Sequence, residues 1–286
     1  MLACLAALTI AACGGKNGGT TDGDGGPDPT GDGGGTGDGG GGGGDGGTTG
    51  DGGGGGGCTA GGAQCSNCID DDGDGDIDGF DVECTGPLDN NEASFATGIP
   101  GDNIDPVDQD CFFDGNSGAG NDGCSIHVCC LLGAATKADC PIGANRYDPN
   151  ACPPPIGTGT LSQMCIDTCG PLAPPGCDCF GCCTICDPAT NMCFDIDINP
   201  AVSPNCDASN ISDPNACKRC IKNDQCGNGE CGGATCILCP GQDPSDLPPE
   251  CNGATCPTGT VACQPDGTCA DANSYCSNGC CIGILQ

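Results

Sequence analysis

The chain has 286 residues, of which 56 are Gly, 23 Pro and 34 Cys, against 6 Lys plus Arg, 39 Asp plus Glu, one His and no Trp. A net charge of −33 excludes nucleic acid as a partner, because phosphate binding needs clustered basic side chains, and Lys218, Arg219 and Lys222 form too small a cluster in this acidic field. So many Cys also argue against a reducing cytosol and point to an exported chain held by disulfides.

The first segment, residues 1–12, is an apolar and small-residue run, MLACLAALTIAA. It falls short of the ~20 residues a membrane-spanning helix needs and reads as a signal peptide. Leu8 to Cys13 (LTIAAC) resembles a bacterial lipobox. That resemblance implies acylation at Cys13, a membrane contact through the lipid, and residence in the cell envelope, at the outer membrane or cell surface. Residues 13–57 then form an expected disordered tether, since Gly14 to Gly57 holds 27 Gly and seven Asp and nothing that could build a core. A Gly-rich coil of this length spans roughly 35 to 40 Å on average.

From Cys58 onward the composition changes abruptly to 32 Cys in 229 residues, while Leu, Ile, Val and Phe together number 35. That apolar share is about 15 per cent, below the level at which an acidic chain folds by burial alone. Disulfides, each contributing ~2 to 4 kcal/mol, are expected to replace the missing core. The expected fold is therefore a set of small disulfide-rich modules, mostly irregular with short β-strands and without long helices. Strands are expected at Phe194 to Ile198 and within Ser125 to Leu132. Pro-rich joints suggest a metal-loop module at 58–110, a central Cys-rich module at 111–206 and a C-terminal cystine-knot-like module at 207–286. Two short repeats, Cys231–Cys236 against Cys251–Cys256 and Asp148–Cys152 against Asp213–Cys217, suggest duplicated units.

One motif carries a specific chemistry: DDDGDGDIDGFD, running from Asp70 to Asp81. With Asp70 as position 1, carboxylates fall at positions 3, 5, 9 and 12 (Asp72, Asp74, Asp78, Asp81). Gly75 occupies the sharp turn at position 6, and the carbonyl of Asp76 can serve at position 7. Alternate carboxylates in a tight loop converge on one hard cation, and seven Asp in twelve residues repel one another without it. Ca2+ is the expected ion. Position 12 is Asp, and Glu83 lies two residues beyond it, so a modest affinity is expected. The loop resembles those of EF-hands and, since Cys68 and Cys84 bracket it closely, still more those of thrombospondin type 3 repeats. Asn67 and Asp70 to Asp78 also resemble the Asp-rich metal-binding motif of Cys-rich secreted bacterial proteins, including myxobacterial ones. These resemblances imply a cation-binding role and no activity.

Other constellations are weaker. Asp102, Asp105, Asp108, Asp110, Asp114 and Asn116 could form a second, irregular cation site, whereas Asp195, Asp197 and Asn199 alternate like the polar face of a strand. Cys217, Cys220, Cys236 and Cys239 have zinc-ribbon spacing, and Cys177, Cys179, Cys182, Cys183 and Cys186 are crowded, but an oxidising compartment favours cystine. The vicinal pairs Cys129-Cys130, Cys182-Cys183 and Cys280-Cys281 are expected to bond to different partners. His127 is the single imidazole, near Cys already assigned to disulfides, and aromatic platforms for sugar hydrolysis are scarce, so no enzyme is expected. The reading that results is a calcium-binding, disulfide-stabilised surface lipoprotein with a structural, adhesive or interaction role, facing an envelope protein or polysaccharide. The alternative is a secreted protease-inhibitor-like cystine module or an envelope enzyme.

Overall fold

The computed structural model describes residues 62–97, 106–115, 122–143, 146–265 and 267–284. The expected signal segment, Cys13, the expected tether and Cys58 lie outside the described residues. Residues 50–286 form one unit. Its elements are short because Gly and Pro interrupt every apolar run. Strand β1 (Asp108–Gln109) pairs antiparallel with β2 (Ile126–His127), followed by helix α1 (Val128–Leu131) and helix α2 (Gln163–Cys169). A hairpin of β3 (Cys182–Asp187) and β4 (Met192–Asp197) comes next. A last sheet places β7 (Cys280–Gly283) between β5 (Val261–Ala262) and β6 (Ser274–Ser277).

Local chemistry sets these boundaries. Ser162 caps α2 by accepting from the Cys165 amide, and Gly170-Pro171 ends it. Asn278 and Gly279, with φ of 48° and 76°, are the two left-handed residues that a tight hairpin requires between β6 and β7. The expected strand at Phe194 to Ile198 is present as β4. Within Ser125 to Leu132, strand stops at His127, because the His127 ring accepts from the Cys129 amide and caps a helical turn instead.

Disulfides form the interior. Fifteen of them join described residues. In the largest core cluster twelve of nineteen buried residues are half-cystines, packed with Ile126, Val128, Leu131, Tyr147, Leu172 and Phe180. A second cluster joins Val82, Phe95 and Phe112 to Ile185, Ile196, Ile198 and Ile211. The zinc-ribbon spacing holds no thiolates: Cys217, Cys220, Cys236 and Cys239 bond to Cys206, Cys182, Cys251 and Cys231. The crowded set is likewise oxidised, with Cys177 on Cys183, Cys179 on Cys226 and Cys186 on Cys193. In each vicinal pair the two cysteines do reach different partners.

Three disulfides, Cys179–Cys226, Cys182–Cys220 and Cys206–Cys217, cross the 206/207 division drawn from sequence. The Asp148–Cys152 and Asp213–Cys217 repeats form the same turn, each Asp accepting from the backbone and side-chain nitrogens of the Asn two residues on. Among the described residues no helix is long and apolar enough to cross a membrane.

Candidate metal centre

The acidic loop leaves a 3-10 turn at Gln64–Ser66 and ends in another at Asp78–Phe80, which lies on β6. Gly79 has no side chain for a reason: an added Cβ would stand 1.7 Å from the carbonyl oxygen of Cys276. The Asn278 amide donates to the Gly79 carbonyl and the Tyr275 hydroxyl to the Cys65 carbonyl, so β6 and its turn hold both ends of the loop. Cys65–Cys84 closes the segment covalently with a Cα–Cα distance of 5.5 Å. Cys68 is also disulfide-bonded.

Within this frame Asp70, Asp72 and Asp74 come together at the surface, their carboxylate oxygens within 4.8 Å of one another. Each is oriented by a backbone amide: Gly73 donates to Asp70, Asp74 to Asp72 and Asp76 to Asp74. Gly75, at φ 112°, supplies the left-handed turn expected of position 6. Burial raises Asp76 above the usual carboxylate range, and the charges of Asp74, Asp70 and Asp72 raise it further. Burial also raises Asp72, against the Asp74 amide that favours its ionised form.

Asp78 is placed differently from the others. Fully buried and at φ 50°, it turns its carboxylate onto the amides of Asn67 and Cys68, at 3.0 Å each, and so pins the loop's exit to its entrance. Glu92, also fully buried, does the same from outside the loop, accepting from the Asp71 amide at 2.6 Å and the Asp78 amide at 2.8 Å. These two acids are satisfied by backbone donors and position the loop.

Asp81 and Glu83 are not satisfied. Both are 3% exposed and their carboxyl groups face one another. Asp81 accepts from the Glu83 amide and Glu83 from the Ala208 amide, but Asp81 Oδ2 and Glu83 Oε2 receive no hydrogen bond. Burial raises both groups, Asp81 up to about 10, and both also feel Asp74. Among the described residues the ion pairs are Arg146–Asp108 and Lys222–Asp195, neither of them in this loop. Two facing carboxylates with no basic partner need a proton or a metal cation between them.

The structure thus brings Asp70, Asp72 and Asp74 together, buries Asp81 beside Glu83, and turns Asp78 onto the backbone amides of Asn67 and Cys68. Glu83 and Glu92 were not legible as loop residues by spacing, though they are two of the chain's four Glu and both flank the motif. Of the second acidic stretch, Asp102, Asp105 and Asn116 lie outside the described residues, Asp108 pairs with Arg146 and Asp110 is buried. Asp197 and Asn199 are not an outward polar face: both are buried, because residues 218–219 cover β4 through the Asp197 amide to the Lys218 carbonyl and a bridge from Ile196 to Arg219. No family model, curated protein or solved structure matches the chain.

Proposed function

We propose that the Asp70–Glu83 loop binds one Ca2+ and that the chain is a calcium-stabilised, disulfide-held interaction module displayed on a cell envelope and anchored by a lipid at Cys13. The observation that carries the calcium reading is the buried Asp81–Glu83 pair, two oxygens without a hydrogen bond that feel the charge of Asp74, itself grouped with Asp70 and Asp72. Oxygen-only donors and flexible loop geometry suit a hard cation of calcium's size. Asp70, Asp72, Asp74, Asp81, Glu83 and the carbonyl of Asp76 supply the ligands, while Asp78 and Glu92 hold the loop closed. Glu83 fills the part that a position-12 Glu plays in tighter sites. The envelope reading rests on the dense disulfides, which persist in oxidising compartments, and on the lipobox-like LTIAAC sequence.

Calorimetry on the oxidised chain tests the ion. Calcium binding with a dissociation constant on the order of 10⁻⁴ to 10⁻³ M is expected, as in extracellular modules. Asp70→Asn together with Asp74→Asn removes most of that affinity. No heat of binding up to ~10 mM calcium would overturn the reading. For the anchor, fatty-acid labelling that marks wild type and Cys13→Ser equally would overturn it.

A further inference from the structure

We infer that the loop is a redox-gated cation site, in which opening of Cys65–Cys84 releases the ion and the ion in turn protects that disulfide; this rests on the calcium reading above. Cys65 stands five residues before Asp70 and Cys84 directly follows Glu83, so this one bond ties together the two ends of the ligand-bearing segment. The segment carries like charges throughout, and no ion pair among the described residues reaches it. With the bond broken, repulsion spreads the carboxylates and the closure entropy of the segment returns as a cost of binding.

The contacts run directly from ligand to sulfur-bearing residue. The Cys84 amide donates to the Asp81 carbonyl, Glu83 is its chain neighbour, and the Glu92 carboxylate that clips Asp71 and Asp78 lies 3.9 Å from the Cys84 sulfur. Both cysteines are buried, at 0% and 7% exposure, so a reductant reaches them when the loop opens locally. A cation bound to Asp81 and Glu83 opposes that opening. Because coupling between two sites is reciprocal, the factor by which reduction weakens the ion is the factor by which the ion resists reduction.

The chemistry is ordinary thiol–disulfide exchange with an external dithiol. Its thiolate attacks one sulfur of the pair, the S–S bond breaks, and the second thiol of the reagent resolves the mixed disulfide. Two electrons and two protons pass to Cys65 and Cys84, which end as thiols, and the reagent ends as a cyclic disulfide. Cys186–Cys193 serves as an internal reference. It joins directly opposed residues of β3 and β4, Cys193 is exposed, and the Cys186 amide donates to the Pro240 carbonyl.

The test titrates the full oxidised chain with dithiothreitol in 10 mM calcium or in chelator, quenches by alkylation and reads each disulfide by mass spectrometry. Calcium is expected to raise the dithiothreitol concentration that half-reduces Cys65–Cys84 by about tenfold, within the usual range of site-to-site coupling, and to leave Cys186–Cys193 unchanged. In Asp81→Asn, where the disulfide is kept and the ion's hold is lost, the protection should vanish. Calcium heat in calorimetry without a shift at Cys65–Cys84 would overturn the gating and leave the calcium reading standing. Equal protection of both disulfides would also overturn it, as a general stabilisation. Absence of calcium heat would overturn both readings.

Discussion

The Asp70–Glu83 loop and the corner formed by Asp178 and Asp197 both take carboxylates out of water, and they treat them differently. Asp178 is fully buried, yet its oxygens receive the amides of Phe180, Cys182 and Asn223 at 2.9 to 3.0 Å. Burial pushes it up to about 6, against those amides and the nearby charge of Lys222. That charge is internal and paid for by the backbone. Asp197, also fully buried, takes the Asn199 amide on one oxygen; the Gln109 side chain lies alongside without a hydrogen bond of good geometry. Burial pushes Asp197 up to about 8, and the charge of Asp178 adds to the shift. In the loop, Asp78 and Glu92 follow the pattern of Asp178, whereas Asp81 and Glu83 face each other, each with an oxygen that receives no hydrogen bond. Burial of an acid is thus uninformative by itself. What distinguishes a ligand from a strut is whether backbone donors use both of its oxygens, as at Asp178, Asp78 and Glu92, or leave one over, as at Asp81 and Glu83.

The comparison breaks most readily at Asp178. Asp178→Ala leaves three buried amides without an acceptor and is expected to cost about 3 to 5 kcal/mol of stability. Urea denaturation of the oxidised protein measures this, and calcium affinity should not change. A loss below about 1 kcal/mol would mean that Asp178 is not the strut described.

Asp197 gives the next effect, read as a pH slope. Its folded value near 8 stands above the ordinary 3.8, so the unfolded chain loses this proton first as pH rises. The stability it contributes is complete below pH 4 and is lost progressively up to about pH 8. Asp197→Asn should flatten that decline by on the order of a few kcal/mol. Denaturation midpoints of wild type and variant across this range, at constant salt, decide it; parallel slopes would refute the assignment.

Asp81→Asn sharpens the contrast from the loop's side. It should weaken calcium about 100-fold, roughly 2.7 kcal/mol. The calcium-free protein should keep its stability or gain some, since the folded chain no longer has to take up a proton to bury this group. A ligand and a strut therefore respond with opposite signs in the absence of the ion. The smallest effect is expected at Asp76, whose carbonyl rather than carboxylate would serve the proposed ion: Asp76→Asn should change affinity by less than about threefold in calorimetry.

Much of this was legible in the residues, and the failures have physical causes. The Asp70–Asp81 spacing located the loop because alternation along a tight turn is a local property. The small apolar share foretold a cystine core, and the alternating Phe194 to Ile198 foretold β4. Glu83 falls outside the count because position counting assumes a regular loop end, whereas the Asp78–Phe80 turn and the bend after it bring residue 83 back beside residue 81. Asp78 is spaced like a ligand, and its left-handed backbone, which rotates the carboxylate onto Asn67 and Cys68, has no sequence signature in a non-Gly residue. Asp197 looked exposed because alternation reveals one covered face of a strand and cannot reveal that residues 218–219 cover the other.

The packing of Tyr275 against the loop has an optical consequence. With no Trp and two Tyr in the chain, near-ultraviolet light is absorbed chiefly by Tyr147 and Tyr275. Tyr275 is buried on the Gly79 turn, and its phenol is raised well above its ordinary value by that burial and by the charges of Asp78, Asp89, Asp81 and Glu92. Terbium, an oxygen-seeking ion close to calcium in size, would sit within the field of that ring and draw excitation energy from it. The loop then reports its own occupancy as visible emission, without an added dye. Tyr275→Phe should darken the signal while the ion stays bound, and Tyr147→Phe should leave it lit.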